Sequence, residues 1–289
     1  MEEPDFNNLA STRVAVVGLG LMGGSLALAL RGRCRELLGV DSNPAALAFA
    51  CRHGIVDREA SFDAALSADV LILAAPVRAI LDQLADLASR PAPAHTPIVL
   101  DLGSTKSAIA AAMQHLPPGY APLGGHPMCG KEVSGVAHAE GGLFRDNVFV
   151  LTPLDRTPAW ALAWARLMVA AIGARPIELS PERHDVLAAA ASHLPYLAAA
   201  LLVRAAEGLS DDQVWQMAAS GFRDTSRLAA SDVTMMTDIL LTNHRSIIEA
   251  LGRYQAELQR LTALLETGDQ DALAAFLSAA AKRRRSLFR

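Results

Sequence analysis

Cysteine, lysine and aromatic residues are all scarce in this 289-residue chain, and each scarcity narrows what it can be. The three cysteines, Cys34, Cys51 and Cys129, are odd in number and have no Cys-x-x-Cys spacing. That argues against a disulfide framework or a zinc site and suits a reducing compartment. Aromatics make up 5% of residues against 52% hydrophobic, with alanine conspicuous, so tightly packed helices are expected rather than an aromatic-rich β-sandwich. A positive excess is missing too: 26 Lys and Arg stand against 30 Asp and Glu, and a net charge of −4 argues against general nucleic-acid binding. The one dense basic cluster, Lys282-Arg283-Arg284-Arg285, reads as a solvated helix end. The N-terminal stretch MEEPDFNNLA is acidic and lacks an apolar h-region, so no secretory signal is expected. The most hydrophobic stretch, residues 186–203, contains His193 and Pro195 and has alanine where a spanning helix would favour leucine or isoleucine. A buried helix is expected there, not a membrane span, and the expected location is the cytoplasm.

What is present is a change of pattern along the chain. Up to about residue 110, short apolar runs alternate with helical periodicity, as in βαβ units. Strands are predicted at residues 14–17, 37–40, 70–74 and 98–100, with helices at 22–30 and from Asn43-Pro44 onward. Leu123 and residues 148–151 mark later strands, predicted to be peripheral. A helix over 158–171 and a short strand over 175–179 follow. Ser180-Pro181-Glu182 then combines an N-cap serine, a proline at the first helical position and an acidic first turn. Helical patterns continue from there, broken near Gly208, Gly221 and Gly268. The predicted fold is α/β: a Rossmann-type doubly wound parallel sheet over residues 1–179, followed by an all-helical domain over 180–289.

Gly18-Leu19-Gly20-Leu21-Met22-Gly23 follows a predicted strand and opens a predicted helix, the context that lifts a Gly-x-Gly-x-x-Gly pattern above a chance match. Gly18 permits the tight turn, Gly20 lets backbone approach a pyrophosphate, and Gly23 lets helix and strand pack closely. Leu21 and Met22 lie in the first helical turn, where free N–H groups and the dipole favour phosphate. Asp41 ends the second strand, where its carboxylate can accept the ribose hydroxyls and would repel a 2′-phosphate, so NAD is expected over NADP. Asp41 as a helix N-cap is the plainer alternative. Ala75 and Pro76, directly after the strand at 70–74, complete the predicted cofactor-facing set.

Residues 124–130, Gly-Gly-His-Pro-Met-Cys-Gly, place His126 in what reads as a glycine-rich bend. A histidine there can take a proton from an alcohol while a bound nicotinamide takes the hydride. Ser104, in Asp101-Leu-Gly-Ser-Thr-Lys106, falls in a loop at the carboxyl edge of the sheet, either as a site hydroxyl or as the cap of a helix starting at Thr105. His193 and Tyr196 are three apart and share a helix face. His184 lies nine positions before His193, half a turn off, and is expected to point elsewhere. With His53, His95, His115, His138 and His244, it falls outside the predicted site.

Together, the motifs at residues 18–23, 101–106 and 124–130, with Ser192-His-Leu-Pro195 and Gly221-Phe-Arg-Asp-Thr-Ser-Arg227, resemble the prephenate/arogenate dehydrogenase family of tyrosine biosynthesis over residues 13–277. The resemblance implies oxidation and decarboxylation of a cyclohexadienol with hydride transfer to a nicotinamide cofactor, in a homodimer joined through its helical domain. It also implies that His126 contacts the ring hydroxyl, that Ser104 lies beside it, and that Arg227 binds a substrate carboxylate. Arg223 is expected in an ion pair, and Glu132 and Ser134 match a loop at the mouth of the site. His193 is a substrate-pocket candidate, with a satisfied core histidine as the alternative, and Tyr196 is placed in the pocket beside it. Members that prefer prephenate often carry a histidine where this chain has Tyr196, which keeps arogenate open beside prephenate.

Two other functions share parts of this layout. A β-hydroxyacid dehydrogenase resembles this layout but uses a lysine on the first long helix of its second domain. Here the only lysines are Lys106, Lys131 and Lys282, none of them within residues 180–208. A nucleotide-sensing protein without activity should have lost the proton acceptor or the carboxylate clamp, yet His126, Ser104 and Arg227 are all present.

Overall fold

Apolar residues run uninterrupted through 14–17, 70–73 and 98–100, and strands of that kind are stable only with both sheet faces covered. The computed structural model, which describes residues 5–131 and 133–287, covers them. The described chain divides into two compact units, Met1–His244 and Arg245–Arg289.

The first unit is built on one eight-stranded sheet: β1 (Arg13–Val17), β2 (Glu36–Val40), β3 (Arg58–Glu59), β4 (Val70–Leu73), β5 (Ile98–Asp101), β6 (Ala121–Pro127), β7 (Val148–Pro153) and β8 (Arg175–Glu178). Their spatial order is β3-β2-β1-β4-β5-β6-β7-β8, parallel throughout except for the antiparallel pair β6–β7. The strand order reverses between β1 and β4, so their carboxyl ends open the crevice where α/β sheets bind ligands. The helices between strands are α1 (Leu21–Leu30), α2 (Pro44–Arg52), α3 (Phe62–Ala65), α4 (Val77–Ser89), α5 (Ser107–Gln114) and α6 (Ala159–Ala171). Because side chains alternate along a strand, Val14 and Val16 join Leu26, Leu30, Trp164 and Met168 on one face. Ala15 and Val17 join Ile80, Leu84, Ile109 and Met113 on the other.

Leu123 does not lie in a peripheral strand. Strand β6 sits between β5 and β7, is seven residues long and is almost wholly buried. Its two glycines and two prolines disguise it in sequence, since both residue types are depleted in strands. The glycines are there for close approach: a Cβ on Gly124 would collide with the Thr152 hydroxyl, and one on Gly125 would lie 2.8 Å from the Asp101 carbonyl oxygen. His126 is therefore a strand residue rather than part of a bend, paired in register with Val150.

Helices follow β8, and no strand follows Glu178 among the described residues. Helix α7 (Pro181–Ala188) passes through a π-helical turn, Ala189–His193, into α8 (Leu194–Glu207). Next come α9 (Gln213–Met217), α10 (Ser220–Ser226), a 3₁₀ turn at Arg227–Ala230, and α11 (Val233–Thr242). The segment Pro181–Glu207 is 27 residues long and apolar enough to cross a membrane by length and composition alone, yet it is not the buried helix expected, since only 22% of its most apolar window is covered within this chain. In the second unit, α12 (His244–Thr267) and α13 (Gln270–Leu287) meet where the Arg260 guanidinium sits 5.5 Å over the Phe276 ring. The basic cluster at 282–285 lies in the exposed last turns of α13.

Candidate active site

The turn after β1 is shaped by its glycines. Gly18 has φ +98°, a left-handed conformation that favours glycine, and a Cβ there would lie 2.6 Å from the Ala74 carbonyl oxygen. A Cβ on Gly23 would strike the Gly18 carbonyl oxygen, and this close packing brings α1 against the turn. Gly20, the N-cap of α1, has open space where a Cβ would be, and no side chain caps the helix. The free amides of Leu21 and Met22 and the space above Gly20 fit an anionic diphosphate. Asp41 directly follows β2 and accepts the Leu19 amide at 2.6 Å and the Asn43 amide at 2.8 Å. It is not the helix cap, because Asn43 caps α2. Ala75 and Pro76 follow β4 at the same crevice, with Pro76 at the start of α4.

His126 stands near the carboxyl end of β6, on the sheet edge where β1, β4 and β5 also end. Its Nδ1 lies 2.8 Å from Nε2 of His184, whose own Nδ1 lies 2.9 Å from the Asp185 carboxylate. His184 therefore does not point away from the site. Nine residues at about 100° each should separate His184 and His193 by half a turn, but the π turn between them takes up an extra residue, leaving about 80°. His184 and His193 consequently belong to one buried cluster, at 2% and 1% exposure. The available signal was Pro195, whose missing N–H and ring clash upset helical hydrogen bonding one turn back, so a single helical count should not be carried through it.

Asp185 closes this cluster onto the sheet. It accepts the backbone N–H of Lys106 at 2.7 Å and of Ser107 at 2.8 Å, and so caps α5 from outside. That helix begins at Ser107 rather than Thr105, and Ser104 does not cap it. Burial works against the Asp185 carboxylate, but hydrogen bonds from His184, Ser107 and Lys106 hold it below the ordinary carboxylate range. Asn243 donates to the Asp185 carbonyl at 2.8 Å and to Nδ1 of His193 at 3.3 Å, which leaves the His193 proton on Nε2. Beneath His126, the buried Lys106 ammonium pairs with Asp101 and donates to the Gly125 carbonyl at 2.7 Å. Composition and spacing alone gave no reason to single out Asp101, Lys106, Asp185 or Asn243 for these contacts.

Burial, with His184, Lys106 and His193 adding to it, pushes the His126 pKa well below 6.5. Burial likewise lowers His193, to about 4. Burial raises the Cys129 thiol to about 11, so it stays protonated near neutrality and is no nucleophile. Ser104 is half-buried in the loop between β5 and α5, and its hydroxyl makes no hydrogen bond among the described residues. Tyr196 is half-buried on α8, while Ser134 is exposed in the connection between β6 and β7. Glu132 lies outside the described residues. Arg227 is exposed at the start of its 3₁₀ turn, and Arg223 pairs with Asp224 at 3.2 Å. The helical register changes between these arginines, so they do not share one continuous α-helical face.

Residues 26–178 match the family model of the prephenate dehydrogenase nucleotide-binding domain, and residues 180–279 match that of the prephenate dehydrogenase dimerization domain. A prephenate dehydrogenase of Bacillus subtilis (strain 168) is 34% identical over 273 residues, 92% of this chain and 73% of that relative. The structure of an Aquifex aeolicus prephenate dehydrogenase in complex with hydroxyphenyl propionate and NAD+ superposes with a TM-score of 0.87 at 29% identity, covering 95% of this chain and 98% of the other. A Synechocystis arogenate dehydrogenase gives 0.82 at 32% identity, covering 95% and 99%.

Proposed function

The chain belongs to the prephenate dehydrogenase family, and on that premise we propose that it oxidises and decarboxylates prephenate to 4-hydroxyphenylpyruvate, passing a hydride to NAD, in tyrosine biosynthesis. The observation that carries this reading is the placement of His126 on the same sheet edge as a glycine-built dinucleotide cradle. Gly18, Gly20, Leu21, Met22 and Gly23 hold the pyrophosphate, Asp41 the ribose, and Ala75 and Pro76 line the crevice. Asp41 keeps spare lone pairs beyond the two amides it accepts, and its charge selects NAD over NADP.

When bound there, NAD would supply the hydride acceptor for the carbon that carries the substrate hydroxyl. His126 accepts the proton of that hydroxyl, which requires a neutral ring, and its lowered pKa keeps it neutral. Loss of the ring carboxylate as CO2 then makes the ring aromatic, and the electron pair it leaves travels to the ring oxygen. That oxygen takes the proton back from His126, so no net proton is released. Arg227 binds a substrate carboxylate through its planar fork of donors. Ser104 orients the hydroxyl beside His126, while His193 and Tyr196 line the pocket and Ser134 stands at its mouth.

Tyr196 favours a second reading, in which arogenate is also accepted and tyrosine is produced. A phenol can donate a hydrogen bond but cannot offer a positive charge to the pyruvyl carboxylate. A steady-state assay crossing prephenate and arogenate with NAD and NADP decides: prephenate with NAD is expected to give the highest kcat/KM. Turnover of neither substrate would overturn the reading, and arogenate with NADP leading would replace it with the second.

The match to a dimerization domain, with exposed Leu201 at 52% and Met217 at 83%, supports a homodimer joined through the helical part. We propose a division into a dinucleotide domain at 1–179 and a helical domain at 180–289, which the family matches over 26–178 and 180–279 support. Three unpaired thiols and a net charge of −4 support a cytoplasmic enzyme that binds neither membrane nor nucleic acid.

A further inference from the structure

We propose that Asp185 and His184 are positioning residues that fix the tautomer of His126, leaving its Nε2 as the bare, proton-accepting nitrogen; this rests on the role given to His126 above. Asp185 is fixed in place by the backbone amides of Lys106 and Ser107, and an ionised carboxylate can only accept hydrogen bonds. The atom of His184 facing it at 2.9 Å, Nδ1, must therefore carry a proton. In a neutral His184 that leaves Nε2 bare, and 2.8 Å away stands Nδ1 of His126. Two bare nitrogens at that distance would repel each other, so His126 must donate from Nδ1. Its remaining nitrogen, Nε2, then holds the lone pair.

The arrangement has the logic of a serine-protease triad, with a second histidine inserted between carboxylate and base. It orients the ring of His126 and selects its basic nitrogen. It also supplies a negative charge one residue away when His126 becomes an imidazolium in a poorly solvated site. Nothing in this requires His184 or Asp185 to touch the substrate.

Asp185→Asn tests the idea. The amide removes the charge, and with its NH2 toward His184, at the expense of the Lys106 amide bond that the same oxygen accepts, it reverses each donor in the chain and places a proton on Nε2 of His126. The expected result is a loss in kcat of up to about 10⁴-fold, the scale of the corresponding carboxylate-to-amide change in a serine-protease triad. KM and NAD affinity should stay within about threefold, a change worth well under 1.4 kcal/mol. Nitrogen-15 NMR of histidine-labelled protein should show His126 protonated at Nδ1 in the wild type and at Nε2 in the variant. Because Asp185 also caps α5, His184→Phe is the companion variant: it leaves the cap in place, removes the relay, and should lower kcat by about 10²-fold or more. A wild-type spectrum with the proton on Nε2 of His126, or a His184→Phe variant with full kcat, would overturn the proposal. The spectrum is read without substrate, so the tautomer can fail while turnover stands, and turnover can fail while the tautomer stands.

Discussion

A general base is useful only over the pH range in which it is empty, and at the scale of single residues His126 is set up to be empty early. Burial and the neighbouring His184, Lys106 and His193 all disfavour its charged form, so its folded pKa lies well below the ordinary 6.5. The sign follows directly: the active, neutral form persists as pH falls through 6.5 and is lost only at a distinctly lower value. The pH profile of kcat/KM should accordingly be flat through pH 6, with its acid limb well below that. An acid limb centred on about 6.5, the free imidazole value, would give the role of base to a more exposed group. His126 and the glycines of the cradle were legible in sequence because their residue types are tied to one chemistry. Lys106 and Asp101 were not, because a buried ion pair leaves no periodic trace.

Elements, rather than residues, explain where sequence pattern and structure part company. Glycines and prolines that serve close packing disguise strand β6, and the π turn at Ala189–His193 shifts the helical phase that uniform α-helical spacing assigns to His184. Both are places where a local irregularity puts a functional group in position. The β1–α1 junction is the opposite case, where pattern and geometry agree. There, Gly23→Ala would drive a methyl group into the Gly18 carbonyl oxygen and to within 3.0 Å of the Ala74 Cβ. The expected cost is about 1–3 kcal/mol of stability from overpacking. A displaced α1 should also weaken NAD affinity by about tenfold or more, the equivalent of at least 1.4 kcal/mol. Thermal denaturation and NAD titration of the variant measure the two effects, and unchanged values for both would mean that the turn has slack not visible in its packing.

For the whole molecule, the open question is what covers the apolar surface of the helical segments. Leu201, Leu209, Met217 and Val233 are between 52% and 83% exposed in a single chain, a burden a soluble monomer rarely carries. Sedimentation at micromolar concentration should therefore give a dimer, and a monomer there would reject the homodimer. That surplus was legible in composition, but which helix carries it was not, since residues 186–203 read as a core helix until their exposure was seen. One consequence of the Asp185 cap concerns the order in which the chain is made. The dinucleotide cradle draws on nothing beyond Pro76, and His126 follows on β6, but the partners of that base arrive only with His184 and Asp185, after every strand of the sheet has been synthesised. Domains generally fold from the N-terminal side during synthesis. During synthesis the α5 amides would thus stay uncapped, and His126 without its partner, until the helical segment emerged and docked.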